Sequence, residues 1–211
     1  VIALISDSYK ELVRLHMEIT KCTRCPLYKG RRKAVPGEGD FKAELMFIGE
    51  GPGREEDLQG RPFVGRAGKL LDELLNEIRV ERSHVFITNI VKCRPSEGGK
   101  DRRPTKEEVE SCTVYLDRQI ELINPRIICT LGDTAARYIF DKNNLRIAPL
   151  SVIHGRAFKV DGRIIFPCYH PAAALYNPQL RRLFSEDFKA LRGILNASII
   201  RSGGRTLDEF L

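Results

Sequence analysis

Three short apolar runs, at residues 44–48, 85–88 and 126–131, constrain the fold of this chain more than any other feature. Each is of strand length and rich in Ile, Val, Leu or Phe, the composition of a strand buried inside a sheet. Between and after them lie stretches with helical spacing of apolar residues, at 67–79, 104–123, 134–140 and 178–199, and one more precedes them at 7–19. Strands that alternate with helices imply a mostly parallel sheet covered on both faces. The expected class is therefore α/β: a three-layer α/β/α sandwich around a central, mostly parallel four-stranded sheet. One domain is expected over residues 1–200, with a tail at 201–211.

Local signals sharpen some of these elements. Thr105 stands three residues before Glu108, the spacing of a capping box at a helix start. Asp161-Gly162 between residues 155–160 and 163–167 is a strong two-residue hairpin turn. Residues 94–103 read as a polar loop with Glu and Gly at its tip.

Lys and Arg number 35 against 28 Asp and Glu, a formal net charge of +7. A surplus of that size suits a polyanionic partner, because basic side chains that meet phosphates release condensed counterions; solubility alone is the plainer explanation. No apolar run reaches the length of a membrane span, and residues 1–15 lack the features of a secretory leader, so a cytoplasmic protein is expected. High charged content with two Met and no Trp is what a thermophilic chain would show.

The chain has six cysteines. In a cytoplasmic protein they point to a metal site or buried thiols, not to a disulfide framework. Cys22 and Cys25 form a CxxC pair, Cys93 follows the second strand, and Cys112 lies in the helix after it. Together they offer four soft ligands, enough for an all-thiolate zinc site or a [4Fe–4S] cluster, and spacing alone does not choose between them. Lys21, Arg24, Lys92 and Arg94 are basic neighbours that favour thiolates. Cys129 and Cys168 read as core thiols.

In parallel sheets ligands bind at loops leaving the C-terminal ends of strands, and three such loops carry candidate chemistry. The first is Gly49-Glu50-Gly51-Pro52-Gly53, followed by Glu55-Glu56-Asp57 and by Phe63 between Arg61 and Arg66. Glycines let backbone approach a ligand, a carboxylate at a strand end can orient water, and an aromatic between arginines can stack on a base; a structural turn and a core phenylalanine read equally well from this segment. The second closes the strand with Asn89, whose amide presents a donor and an acceptor side by side. The third is Tyr169-His170-Pro171, where His170 can donate a hydrogen bond to developing negative charge. Leu175 and Tyr176 beyond it could form a wedge entering a duplex.

The segments GEGPGREEDLQGRPFVGRAGKLLDELL, ITNIVKCRP and YHPAAALYNP, in this order, resemble the family 4 uracil-DNA glycosylases of thermophilic bacteria and archaea, over residues 22 to about 195. The resemblance implies a [4Fe–4S] cluster on Cys22, Cys25, Cys93 and Cys112. It implies a flipped uracil stacked on Phe63 and read by Asn89, with Glu50 and Gly51 lining the pocket and His170 bonded to the base carbonyl that gains charge. Arg66, Leu175 and Tyr176 would meet the DNA. Where family 1 enzymes carry a water-activating Asp this chain has Gly51, which leaves Glu50 as the water-positioning group; Glu56 or loop backbone would exclude the thymine methyl. Glu97-Gly98-Gly99 reads as an insertion relative to the family. No His lies between Cys93 and Cys112, so turnover is expected, not self-crosslinking.

Leu207, Phe210 and Leu211 resemble the apolar anchors of a sliding-clamp-binding peptide, although Gly204 stands where its Gln would be. The expected function is hydrolytic release of uracil from single- or double-stranded DNA by a monomer. The competing readings are a non-catalytic iron–sulfur module that binds damaged DNA, and a glycosylase for other deaminated bases.

Overall fold

The computed structural model describes residues 7–201, with side chains through residue 197. The chain runs α1 (Asp7–Lys21), β1 (Glu38–Gly39), β2 (Leu45–Gly49), α2 (Arg54–Gln59), α3 (Arg66–Glu77), β3 (Phe86–Asn89), β4 (Ser96–Glu97) and β5 (Lys100–Asp101). It continues with α4 (Lys106–Ile123), β6 (Ile127–Leu131), α5 (Asp133–Lys142), α6 (Leu150–Ile153), β7 (Phe158–Val160), β8 (Arg163–Cys168), α7 (Pro171–Ala174) and α8 (Pro178–Arg201).

The main sheet has the order β1-β3-β2-β6-β8-β7. Its four central strands, β3, β2, β6 and β8, are mutually parallel, and β1 and β7 add antiparallel edges. The sheet thus holds six strands, not the expected four. The two extra are short: β1 is a two-residue pairing of Glu38 and Gly39 that leaves no periodic trace, and β7 is the outer arm of the Asp161-Gly162 hairpin. Both turn residues have positive φ, +46° and +79°, as a two-residue primed turn requires.

Alternate residues of each central strand feed two separate cores. Met46, Ile48, Phe86, Ile128 and Ile165 pack against α1, α4, α5 and α6 on one face. Leu45, Phe47, Ile87, Ile127, Cys129 and Phe166 pack against α3, α7 and α8 on the other. The period-two pleat therefore produces the three layers. α4 begins as its sequence dictates: Thr105 Oγ1 accepts from Glu108 N–H and the Glu108 carboxylate accepts from Thr105 N–H at 2.8 Å. Among the described residues, no helix is long and apolar enough to cross a membrane.

Parallel central strands place all four of their C-terminal ends on one edge of the sheet. Gly49, Asn89, Leu131 and Cys168 are the last residues of those strands, and the chain leaving each builds the site.

Candidate active site

A cavity of about 570 Å³ opens at this edge, within the usual range for a small-molecule pocket. Glu50 to Glu56 line it after β2, Asn89 closes β3, Leu131 to Thr134 follow β6, and His170 follows β8. Phe63, Gly65 and Arg66 form another wall. Glu50, Gly51, Glu56, Phe63, Arg66, Asn89 and His170, singled out from the sequence, thus share one cavity.

Asn89 is 1 % exposed, and its Oδ1 has no hydrogen-bond partner among the described residues. A buried carbonyl oxygen left unpaired costs about 1–3 kcal/mol, so an orphan on a residue that lines a cavity points to a ligand donor there. Its backbone is fixed from behind. The buried Lys92 ammonium donates to Asn89 O, Thr88 Oγ1 and Gln119 Oε1 at 2.6–2.7 Å, and Gln119 in turn donates to Pro36 O.

Phe63 is 6 % exposed and adopts φ +49°, a left-handed conformation uncommon for a bulky residue and strained unless its surroundings impose it. The surroundings do so here. Glu56 accepts from the N–H groups of Val64, Gly65 and Gly53 at 2.8–3.1 Å, and Arg82 donates to Pro62 O at 2.6 Å. Gly68 presses the start of α3 onto the same turn: a Cβ there would lie 1.9 Å from Phe63 O. The ring is therefore no exposed platform but a pocket wall, its centroid 5.8 Å from that of His170.

His170 caps α7, and its Nδ1 accepts from Ala172 N–H at 3.1 Å. That bond requires an unprotonated Nδ1, so in the neutral ring the proton sits on Nε2. Burial lowers its pKa to about 4, against a smaller upward pull from Glu56. At neutral pH the side chain is thus an uncharged N–H donor. Glu50 accepts a hydrogen bond on Oε2 from Thr134 Oγ1, which ties the loop after β2 to the start of α5.

The wedge candidates part company. Tyr176 is 74 % exposed, with the Arg66 guanidinium 5.0 Å from its ring centre and donating to its hydroxyl. Leu175 instead packs against the second core. Residues 94–103, read as a loop, form a small β4–β5 hairpin whose Gly98 and Gly99 both take positive φ. Its base reaches the cavity through Pro95, Asp101, Arg102 and Arg103.

Cys22, Cys25, Cys93 and Cys112 line a second, small cavity together with Arg31, Lys92 and Tyr115. Three of the sulfurs accept N–H bonds: Cys22 from Arg24 N, Cys93 from Arg31 Nη1 and Cys112 from Lys92 N, at 3.2–3.4 Å. Such bonds favour thiolates, whereas burial pushes the thiols of Cys25, Cys93 and Cys112 up, the last to about 11. Of the basic neighbours named from the sequence, Lys92 does favour a thiolate, since its charge and its backbone N–H both pull the Cys112 pKa down against the larger effect of burial. Arg31 is the cation bonded to a sulfur, while the ammonium of Lys92 turns to Asn89 and Gln119 and Arg94 pairs with Asp101. No three His, Cys, Asp or Glu side chains among the described residues form a group that would hold a single metal ion. Cys129 and Cys168 are fully buried, their sulfurs 3.6 Å apart. Leu207, Phe210 and Leu211 lie outside the described residues.

Thr134, Arg82 and Gln119 escaped the sequence reading, and Lys92 was read only as a neighbour of the cysteines, not as the brace behind Asn89. Only the fold brings these contacts to the site.

Residues 36–192 match the model of the uracil DNA glycosylase superfamily. The chain is 48% identical to the type-4 uracil-DNA glycosylase of Saccharolobus solfataricus, over 92% of this chain and 88% of that protein. It is 47% identical to the enzyme of the same name from Sulfurisphaera tokodaii, over 95% and 90%, and 42% identical to that of Thermotoga maritima, over 88% and 96%. With that similarity spread along nearly the whole chain, the chain belongs to the uracil DNA glycosylase superfamily and, within it, to the type-4 uracil-DNA glycosylases.

Proposed function

We propose that this protein excises uracil from DNA, hydrolysing the N-glycosidic bond and leaving an abasic site. The unpaired Asn89 Oδ1, buried in a cavity walled by Phe63 and His170, carries the reading. Uracil offers a ring N–H to such an oxygen and an adjacent carbonyl to the amide N–H₂. Reaching it requires the nucleotide to leave the stack, at a cost of a few kcal/mol that pocket contacts offset.

The chain's own groups then divide the work. Phe63 holds the base plane, and Asn89 reads its edge. As the bond lengthens, negative charge grows on the base and positive charge on the sugar. His170 Nε2–H meets the former as a donor fixed in place by its Nδ1 bond. Glu50, one oxygen held by Thr134, positions water against the sugar. Glu56 keeps the Phe63 turn and Gly51 the close backbone wall, which together leave little space for a 5-methyl group. Arg66 and the exposed Tyr176 meet the DNA outside, with Leu175 anchoring that loop.

Cys22, Cys25, Cys93 and Cys112 hold a [4Fe–4S] cluster in this proposal. Their shared cavity and the N–H bonds to three sulfurs fit such a group. It would supply structural ordering: α1, the chain after β3, and α4 would be joined at one point beside the loops that line the active cavity. Iron and sulfide in near equal amounts, with visible absorption lost on chelation, would support it; zinc in their place would refute it. The protein acts as a cytoplasmic monomer, and Leu207, Phe210 and Leu211 dock on a sliding clamp; a titration with purified clamp that shows no loss of binding on truncation at residue 201 would refute the latter.

The decisive experiment is uracil release from a labelled strand bearing one uracil, with alkaline cleavage of abasic sites. Wild type should cut, while Asn89→Ala and His170→Ala should each lose about 10²–10³-fold in rate, the scale of losing one positioned donor. Intact protein that cuts neither single- nor double-stranded substrate refutes the proposal.

A further inference from the structure

Behind the His170 loop lies a buried ionisable pair that the chemistry above does not use. Asp187, on α8, is 5 % exposed. Both of its carboxylate oxygens lie 3.0 Å from His154 Nδ1. The site is shaped for this contact: Gly155 has φ +68°, and a Cβ on it would stand 2.3 Å from Asp187 Oδ1. The Gly155 N–H also donates to Pro167 O at 2.8 Å, which docks the turn on the end of β8. A carboxylate at this depth raises the energy of the fold unless a partner answers it, and burial lifts its pKa to about 6 against the opposing pull of His154.

The pair is connected to the active cavity through one side chain. The His154 ring faces the ring of Tyr169, centroids 4.6 Å apart at 43°, and Tyr169 precedes His170. Neither His154 nor Asp187 lines the cavity. Gly132, just before α5, also meets this loop: an ideal Cβ on it would lie 3.1 Å from His170 Cβ, and its N–H donates to Cys168 O. His170 is thus met directly by the chain that starts α5, and the residue before it is held by the His154–Tyr169 contact.

We infer that Asp187 and His154 are positioning residues for uracil excision, which brace Tyr169 and through it fix the direction in which His170 donates. The inference rests on the proposed function. It differs from a plain structural weld between α8 and the turn before β7, because it requires the effect to pass through His170.

A double-mutant cycle separates the two. Asp187→Asn and His154→Ala should lower the single-turnover rate of uracil release about tenfold with little change in KM, since misplacement of a reacting group by a fraction of an ångström acts on the chemical step. In a His170→Ala background the same substitutions should have no further effect. Equal losses in both backgrounds, or rates within about twofold of wild type, overturn the inference. If the Asp187 and His154 variants do not fold, Tyr169 serves instead: Tyr169→Ala should reproduce the loss and Tyr169→Phe should restore the rate, and identical rates for the two overturn it. If wild type releases no uracil, the functional reading fails. The ring nitrogen resonances of His170 then still decide the brace, since they must move in Asp187→Asn and would be unchanged in a plain weld.

Discussion

Gly49 offers the sharpest test of the cavity. It is the last residue of β2 and lies between the two groups assigned to hold the base. An ideal Cβ built on it would stand 2.5 Å from Asn89 Oδ1, 2.6 Å from Phe63 Cζ and 2.8 Å from Phe63 Cε2. Ordinary contact begins at 3.4 Å, so each neighbour would have to retreat by most of an ångström. The Phe63 backbone is held by Glu56 and Arg82, so the ring and the Asn89 amide can give way only into the cavity they line, the space assigned to the base. The backbone of Gly49 is that of an ordinary strand residue, so alanine brings no torsional strain, only the methyl group.

Overpacking of this kind costs about 1–3 kcal/mol, against a total stability of roughly 5–15 kcal/mol, so Gly49→Ala should fold. Misplacing the base by close to an ångström should slow the chemistry by about a hundredfold. The assay is single-turnover uracil release at saturating enzyme, with a thermal melt beside it. Gly193→Ala is the control: nothing lies within 4 Å of its Cβ position on α8, and it should gain about 0.5–1 kcal/mol in stability at unchanged rate. A Gly49→Ala enzyme within about threefold of wild type would refute the placement of the base between Asn89 and Phe63.

Two further outcomes follow from the same structure. His16 and His170 both have pKa values lowered to about 4, each mainly by burial. An unfolded chain takes up these protons near pH 6.5 and the folded one only near pH 4, so their contribution is neutral above pH 6.5 and stability falls between the two, by up to about 3 kcal/mol per histidine. Asp187, raised to about 6, opposes part of this fall over the same window; melts of wild type and His16→Gln from pH 7 to 4.5 should show a shallower decline in the variant. Glu56→Gln removes the charge and one of the two acceptor oxygens, of which one serves Val64 and Gly65 and the other Gly53, so it should loosen the left-handed Phe63 turn and slow uracil release about tenfold, with KM rising if Phe63 loses its hold on the base; an unchanged kcat/KM would show that the turn keeps its shape without the carboxylate.

How much of this was legible in the sequence depended on whether a signal was local. The buried strands were, since Met46-Phe47-Ile48 and Ile127-Ile128-Cys129 are apolar on both faces and sit between helices. So was the start of α4, because Thr105 and Glu108 satisfy each other within one turn. β1 was not, being two residues of Glu and Gly held by pairing with β3, and neither was α2, six residues whose composition is polar and whose cap is Glu56 folding back on Gly53. The site followed the same rule. Asn89 and His170 stand at strand ends, where position alone marks them. Phe63 was placed in the right region, but its burial and left-handed backbone depend on Glu56, Arg82 and Gly68 acting together. Thr134, Gln119, His154 and Asp187 acquire meaning only through partners far away in the chain, which no spacing rule reports.

Most polar groups around the cavity are already committed to the protein. Glu56 is shared among three backbone N–H groups, Glu50 holds Thr134, and His170 Nδ1 holds Ala172. Such commitments fix direction before any ligand arrives and remove the need to reorganise during the reaction. Asn89 Oδ1 is the exception, buried and unpaired. As the amide is oriented, a base satisfies both of its groups by presenting a ring N–H beside a carbonyl, which uracil does at the edge away from its sugar bond. Cytosine presents a lone pair at the same atom, so two acceptors would face each other at a buried position. A site built around a hydrogen bond that the wrong ligand cannot make rejects that ligand by about 10⁴–10⁵-fold. An orphan oxygen that weakens the empty protein is thus the feature that would let the enzyme leave the far commoner cytosine in DNA untouched.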